Sequence, residues 1–329
     1  MMKKVWPPLV LFLLAPIIGE LLSGSAPPSE FFTPAGFLVL AILYGGGAIL
    51  IRELVIRWGR GWYSILLLGA AYAIVEEGLM VKSFFDPLWQ DIGILGYYGR
   101  WAGINWIWSM ELTIYHAVIS IAIPIFLTEL IFPAVRRERW LGRGMITVVT
   151  VCFSANVIFG NIFLTDYRPG AIEYLVAIGA IVGLVLIVWR FPRRQIGSVD
   201  SGGTATKNPL IFWLTGFAAM ISFIIIFWAL PEFIVLPLVI AILGVLMLGG
   251  FYWLVRRLSG NFSTWGDIHQ LALVSGPLTI FMIMTPIQEF DPNRTDNTTG
   301  MTLVGILMLV FLIVVFWKTI KRVRVKENG

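Results

Sequence analysis

Residues 70–80 of this chain read AAYAIVEEGLM, which places two adjacent carboxylates inside an apolar run that begins near Trp62. An acidic side chain at the centre of a membrane span costs at least about 2.5–3.5 kcal/mol on insertion scales. Two such side chains in succession therefore indicate a buried polar site. We interpret Glu76 and Glu77 as the centre of that site.

The overall composition is that of an integral membrane protein. Of the 329 residues, 58% are hydrophobic and 13% are charged, and the mean hydropathy is +0.86. Soluble domains carry about 25% charged residues, so this chain is too apolar for that class. Its net charge of +5 does not indicate nucleic-acid binding, because the basic residues lie in short clusters between apolar runs. One cysteine and two histidines leave little room for a metal centre rich in either residue.

The apolar runs predict an all-α bundle of about ten transmembrane helices, in a multi-pass protein of the cell (plasma) membrane. We number these segments as spans. Spans 1 to 10 are expected at about residues 5–22, 35–56, 62–82, 104–132, 145–165, 171–189, 210–230, 233–254, 271–287 and 301–317.

The distribution of basic residues predicts the orientation of the chain. It contains 24 Lys and Arg residues, and placing the N-terminus inside leaves four of them in outer loops: Lys82, Arg100, Arg168 and Arg294. The other 20 (24 − 4) then lie on the cytoplasmic side. Such an excess of inside charge predicts that both termini are cytoplasmic.

A basic stretch that becomes rich in Gly, Ser and Thr predicts a division into two membrane halves. We expect a six-span half at residues 1–195 that carries the polar site. It is followed by a cytoplasmic linker at residues 196–208. The second half, at residues 209–329, has four spans and a basic cytoplasmic tail. Residues 83–103, between spans 3 and 4, are polar and aromatic, and we expect them to form an interfacial belt or a short lid.

Three consecutive antiparallel spans bring polar residues to a similar depth. A rise of about 1.5 Å per residue puts Glu76 of span 3 and Asn161 of span 5 in the outer half of the bilayer, with His116 about one turn deeper. Tyr72 lies one turn from Glu76, and Asn105 shares a face of span 4 with His116. The predicted substrate- or proton-binding residues are Tyr72, Glu76, Glu77, Asn105, His116 and Asn161, and the candidate catalytic residues are Glu76 and His116.

The two carboxylates cannot both ionise cheaply in a medium of low dielectric constant, so one must be protonated or have a partner. His116, Lys82 and a metal ion are the candidate partners, and the sequence identifies neither a metal nor a cofactor. Successive residues of an α-helix point about 100° apart. We therefore expect Glu76, on the face of Tyr72, to be the functional carboxylate, and Glu77 to meet the glycines of span 2.

A glutamate doublet followed about 40 residues later by a histidine resembles the CAAX-protease and bacteriocin-processing family of intramembrane proteases. Glu76 and Glu77 match the start of its Glu-Glu-x-x-x-Arg motif, and His116 matches its Phe-x-x-x-His motif. The resemblance implies that Glu76 is a general base that activates a water molecule, and that His116 orients it or stabilises charge.

The chain departs from the family pattern at three places. Val81 stands where the arginine should be, and Leu112 stands where the phenylalanine should be. The third motif, His-x-x-x-Asn, has no counterpart, since His269 is followed by Leu273.

Three functional classes follow from these observations, and we favour the first. A transporter, in its simplest form proton-coupled, uses buried carboxylates as proton sites. An intramembrane hydrolase uses the same residues to activate water. A non-catalytic assembly or immunity protein needs neither a proton site nor an activated water molecule. A second His or an Asn beside Glu76 would favour the hydrolase, and Asn161 is the candidate for it. The expected partner is the lipid bilayer, and the substrate can be a small molecule, a lipid or a peptide.

Overall fold

The computed structural model describes residues 5–89, 92–191, 208–262 and 265–327. In this part of the chain the helices of the ten spans are Trp6–Leu21, Pro34–Trp58, Trp62–Met80, Trp106–Ile131, Arg143–Phe163, Ala171–Arg190, Pro209–Glu232, Pro237–Leu258, Asp267–Glu289 and Met301–Glu327. Short helical segments lie at Pro28–Phe31, Gly93–Gly96 and Pro133–Val135, and a hairpin pairs Arg100–Trp101 with Ile104–Asn105.

The predicted all-α membrane bundle is confirmed. Among the described residues, nine helices are long and apolar enough to cross a membrane. Span 1 is shorter, with 11 α-helical residues followed by 5 π-helical residues. The helices form because apolar side chains are continuous along each span, and in a bilayer a helix satisfies every backbone polar group internally.

Each of spans 1 to 4 contains a π-helical segment, which ends the helix in spans 1 and 3 and interrupts it in spans 2 and 4. These segments are Ile17–Leu21, Ala41–Gly45, Ile74–Met80 and His116–Ala122, and span 7 contains another at Ile225–Ala229. A π-helix closes its turn with i→i+5 hydrogen bonds, so it is wider than an α-helix, and it is frequent at functional sites. The segments of spans 3 and 4 contain the predicted glutamates and the predicted histidine.

The chain forms two compact units. The first comprises residues 1–19, 34–196 and 229–241, and the second comprises residues 20–33, 197–228 and 242–329. Most of the predicted linker at residues 196–208 falls outside the described residues, because residues 192–207 are not among them. The division into halves at residues 195 and 209 therefore stays a prediction.

In the first unit, glycines allow three helices to pack closely around Tyr72. Span 2 approaches the ring of Tyr72 at Gly47, where a β-carbon would collide with the ring. Spans 3 and 4 meet at Gly69, where a β-carbon would lie 2.8 Å from the Cα of Ala117. A contact this short is possible only because Gly69 has no side chain. It holds span 3 against span 4, so that Glu76 and Glu77 lie opposite His116, the residue before Ala117.

The second unit contains another close helix crossing. Gly276 of span 9 lies against the backbone of span 7, and a β-carbon there would be 2.6 Å from the carbonyl carbon of Gly216. At the end of span 10, Arg322 pairs with Asp267 at 2.8 Å.

The loop between spans 3 and 4 is held together by Arg100. The Arg100 guanidinium donates hydrogen bonds at 2.7–3.2 Å to the backbone carbonyls of Phe85, Asp86, Gly96 and Gly103. The loop is anchored to span 4 because Asn105 N donates to the Phe84 carbonyl at 2.9 Å. Phe84 and Leu95 are 4% and 1% exposed, so the loop has its own apolar core.

A fully buried arginine organises the predicted cytoplasmic end of spans 2 and 4. Arg52 pairs with Glu53 at 3.0 Å and with Glu129 at 3.4 Å, and its guanidinium lies 3.6 Å from the centre of the Trp140 ring. It also donates to the carbonyl of Glu138 at 2.6 Å. The ion pair and hydrogen bonds offset the cost of burying the charge, and they fix the loop that follows span 4.

We expect Arg52→Gln to destabilise the protein strongly. Removing one member of a buried ion pair costs about 3–5 kcal/mol, because the remaining charge stays buried. Arg57→Gln is the matched control: Arg57 pairs with Glu53 at 3.3 Å, but its side chain is 19% exposed. For such a partly exposed pair we expect a cost below about 1 kcal/mol. The stability of both variants is measured as the melting temperature in detergent. Equal decreases in melting temperature would contradict the prediction.

Candidate functional site

The π-helical segments of spans 3 and 4 bring Glu76, Glu77 and His116 into contact. Nε2 of His116 lies 3.1 Å from Oε1 of Glu77, and Nδ1 of His116 lies 3.4 Å from Oε2 of Glu76. The three residues are 4%, 8% and 2% exposed, in chain order. The imidazole therefore sits between two carboxylates in an almost completely buried cluster.

The contacts correct the prediction that the two glutamates face different neighbours. That prediction assumed α-helical geometry, in which adjacent residues point about 100° apart. Residues 74–80 are π-helical instead, and the wider turn rotates the chain less per residue. Both carboxylates reach the imidazole, and Glu77 makes the shorter contact. Span 2 meets this region through the contact of Gly47 with Tyr72 rather than through Glu77.

Hydroxyl and indole groups orient the cluster from outside. The Ser120 hydroxyl lies 3.0 Å from Nδ1 of His116, one turn along span 4. The Ser83 hydroxyl donates a short hydrogen bond to Oε2 of Glu77, and the indole of Trp108 donates to that hydroxyl at 3.1 Å. Each of these bonds restricts the rotation of a residue in the cluster.

The rings of two tyrosines from spans 2 and 3 also lie close to the imidazole of His116. The rings of Tyr44 and Tyr72 are 6.0 and 6.1 Å from the ring of His116. Both side chains come close enough to Glu76 to interact with its carboxylate. Tyr72 is thus beside Glu76, and Tyr44 comes from the π-helical segment of span 2.

The structure does not bring the two predicted asparagines into this cluster. The Asn105 side chain accepts a hydrogen bond from Trp108 N at 3.1 Å, so it caps the helix of span 4. The Asn161 side chain donates to the Leu79 carbonyl at 2.6 Å and to the Tyr174 hydroxyl at 3.0 Å. The two amides therefore fix the helices that carry the cluster.

Lys82 was a candidate partner of the glutamates, and the structure gives it another role. Its side chain is 0% exposed, and its ammonium donates to the carbonyls of Asn161 at 2.8 Å and Thr165 at 3.1 Å. These carbonyls lie at the end of span 5, where the helix has no internal donors left for them. Lys82 is therefore a cap for span 5.

Sequence reasoning did not include Tyr44, Ser83 and Trp108 among the site residues. The sequence pattern does indicate Ser120 as a site residue, because it lies four residues after His116 and hence on the same helix face. Tyr44 directly precedes the three glycines of span 2, and Ser83 lies beyond the end of span 3. Tyr44 has no spacing relation to the doublet, and the seven-residue spacing of Ser83 from Glu76 runs past the predicted end of the helix, so only the folded chain identifies them.

The cluster has three chemical capabilities. A carboxylate–imidazole pair can exchange protons, and the same pair can activate a water molecule as a general base. One donor atom from each of Glu76, Glu77 and His116 lies within 4.8 Å of the others, so the three residues could also hold a metal ion. We use the name Glu–Glu–His cluster for these three residues.

Comparison with known proteins assigns the chain to a family. Searches of the curated proteins and of the solved structures found no match to this chain. Residues 9–260 match the model of an uncharacterized membrane protein family. The match covers the Glu–Glu–His cluster and supports an integral membrane protein, without supporting the resemblance to the CAAX-protease family. This chain is a multi-pass integral membrane protein that belongs to that uncharacterized membrane protein family.

Proposed function

We propose that this protein is a proton-coupled membrane transporter, and that the Glu–Glu–His cluster binds the coupling protons. The observation that carries the proposal is the contact of both ring nitrogens of His116 with buried carboxylates, at 3.1 and 3.4 Å. Ionisable groups inside a membrane bundle are costly, and proton relays of transporters are built from Asp, Glu and His chains of this kind.

The number of charges in the cluster supports proton binding. A neutral imidazole carries one N–H group, so it can donate to one of the two carboxylates only. The lone pair at Nδ1 can accept from the Ser120 hydroxyl, and the 3.4 Å contact with Glu76 becomes attractive when the imidazole or that glutamate takes up a proton. Adding or removing that proton changes the net charge of a buried site by one unit, and this changes the stability of the contacts around it.

The π-helical segments around the cluster also support transport. Interrupted helices with irregular backbone characterise the binding sites of many secondary transporters. Here π-helical segments occur in spans 1 to 4 and in span 7, and those of spans 3 and 4 carry the cluster itself. The Tyr115 hydroxyl of span 4 donates to the carbonyl of Gly19, within the segment of span 1, at 2.8 Å. Local changes of helix geometry can therefore couple the protonation of the cluster to neighbouring spans.

An intramembrane hydrolase of the CAAX-protease type is the second candidate. The 3.1 Å distance between Glu77 and His116 is within the range of a general base and its hydrogen-bond partner. The hydrolase resemblance also calls for a second His or an Asn to bind the substrate carbonyl. Asn161 bonds to Leu79 and Tyr174 instead, and His269 accepts a hydrogen bond from Gly266 N at 3.2 Å. The transporter requires neither residue.

Proton flux into liposomes tests the proposed function. The protein is reconstituted with the pH dye pyranine trapped inside, and the outside is acidified. Amino acids, dipeptides, monovalent cations and divalent cations are each tested as substrates on the side of the membrane opposite the acidified solution. We expect at least one class to accelerate the internal pH change in the wild type, and no class to do so in His116→Gln.

Two measurements control for other causes. His269→Gln, which changes the other histidine of the chain, should transport like the wild type. The melting temperature of each variant shows whether it is folded. If no class produces a flux that depends on His116, and a fluorogenic membrane-anchored peptide is cleaved in a His116-dependent manner, the protein is a hydrolase.

A further inference from the structure

The electrostatics of the Glu–Glu–His cluster favour a bound cation. In the neutral imidazole one nitrogen carries a hydrogen and the other carries a lone pair. One of the two contacts, at 3.1 or 3.4 Å, would then set a lone pair against a carboxylate oxygen. A proton on Glu76 or on the imidazole makes both contacts attractive, and a metal ion bound between the donor atoms offsets the same negative charge.

No basic side chain supplies that charge within the part of the chain that the structure describes. Lys82 donates to the carbonyls of Asn161 and Thr165, and Arg100 donates to carbonyls of its own loop. Oε2 of Glu76 is buried and has no hydrogen-bond partner among the described residues. A buried carboxylate oxygen without a hydrogen bond calls for an explanation, and a bound ion is one that the charge of the cluster favours.

The distances are those of metal ligands around one ion. Ligand atoms about 2.0–2.2 Å from a four-coordinate ion lie roughly 3.3–3.6 Å apart. The Nε2–Oε1 distance between His116 and Glu77 is 3.1 Å, and one donor atom from each of the three residues lies within 4.8 Å of the others. A shared centre at Nε2 requires the Glu76 carboxylate, whose Oε2 now lies 3.4 Å from Nδ1, to rotate toward Glu77.

The surrounding hydrogen bonds are also those of a metal site. A histidine that binds a metal through one nitrogen directs its other nitrogen to a hydrogen-bond acceptor, and metal-binding carboxylates are hydrogen-bonded in turn. Ser120 lies 3.0 Å from Nδ1 of His116, which leaves Nε2 for the ion. Ser83 bonds Oε2 of Glu77, which leaves Oε1 for the ion, and Trp108 fixes Ser83 at 3.1 Å.

The structure thus points to a new site: we infer that the Glu–Glu–His cluster binds one divalent transition-metal ion. One imidazole and two carboxylates suit Zn²⁺ or Mn²⁺, whereas Ca²⁺ and Mg²⁺ take oxygen ligands only and Cu⁺ takes sulfur. The two carboxylates neutralise the double charge of the ion. This inference rests on the proposed function, in which the ion is the substrate that is exchanged for protons.

Metal binding is measured on the full-length protein in detergent after removal of bound metal. Co²⁺ is the spectroscopic probe, because its visible absorption reports nitrogen and oxygen ligands, and Zn²⁺ is titrated by calorimetry. We expect one ion per chain. His116→Gln and Glu77→Gln should weaken binding by at least 100-fold. Ser83→Ala should weaken it by about 10–100-fold, as expected for a residue that holds a ligand in place.

Matched variants separate the site from general effects. Glu111→Gln changes another buried glutamate, one that is not part of the three-residue group, and it should bind Co²⁺ like the wild type. Wild-type protein that binds no Co²⁺ or Zn²⁺ would overturn the inference, as would binding that His116→Gln and Glu77→Gln leave unchanged.

The inference and the proposed function can fail separately. If no metal binds, but another substrate class drives a proton flux that depends on His116, the metal site is wrong and the transporter stands. If one ion binds at the cluster and no flux accompanies it in liposomes, the metal site stands and the transporter is wrong.

Discussion

Replacing Glu77 with glutamine is expected to reduce proton-coupled flux by on the order of 100-fold or more. Glu77 makes the 3.1 Å contact with His116, and its second oxygen accepts the hydrogen bond of Ser83. An amide keeps the shape of the side chain but carries no charge, so the buried imidazole loses its partner. Breaking a buried pair costs about 3–5 kcal/mol, which corresponds to at least 100-fold in an equilibrium constant.

Flux into pyranine-loaded liposomes measures this effect, with Glu76→Gln and Glu111→Gln in parallel. Glu76→Gln should lose flux to a similar degree, because Oε2 of Glu76 lies 3.4 Å from the same imidazole. Glu111→Gln should retain it. A Glu77→Gln variant that is folded and transports normally, beside an inactive Glu76→Gln variant, would mean that only one carboxylate functions and that the cluster is not a unit.

A single methyl group at Gly69 is expected to disrupt the site from a distance. A β-carbon there would lie 2.8 Å from the Cα of Ala117, which is backbone and cannot rotate away. Gly69→Ala must therefore push spans 3 and 4 apart, at a cost of about 1–3 kcal/mol. Because His116 adjoins Ala117, its contacts with both glutamates should lengthen and the flux should fall to near background.

Gly78→Ala is the matched control, since Gly78 is buried in the same span. Its β-carbon would be 3.5 Å from the nearest atom, which is ordinary contact. Alanine has a higher helix propensity than glycine, so Gly78→Ala should be neutral or slightly stabilising. The melting temperature in detergent and the flux assay are compared for both variants. Equal behaviour of the two variants would show that the Gly69 contact does not hold the spans together.

The apolar spans and the candidate chemistry could be predicted from the sequence, because both depend on local composition. The hydrocarbon core of a bilayer requires long apolar helices, so hydropathy alone indicates a multi-pass bundle. A glutamate doublet in such a helix is costly enough to mark a polar site, and His116 could be chosen by its depth. Glu76, Glu77, Tyr72 and His116 were found in this way.

Which carboxylate contacts the imidazole was decided only by the tertiary structure. Arguments from helix faces assume 3.6 residues per turn, and the π-helical segment at residues 74–80 does not obey that period. The same limit applies to Lys82 and Asn161. Asn161 was placed near the doublet by its depth and Lys82 was a candidate partner by its charge, but their hydrogen bonds go to span 5, span 3 and Tyr174.

The remaining features depend on contacts between residues that are distant in sequence. Ser83 and Tyr44 join the site because spans 2, 3 and 4 pack closely, and Gly69 permits the approach of two of those spans. Packing of this kind is a property of side-chain shape and of the backbone positions of several helices together. The sequence by itself therefore determined a membrane bundle with a buried Glu and His site, and only the folded chain determined that both glutamates share one imidazole.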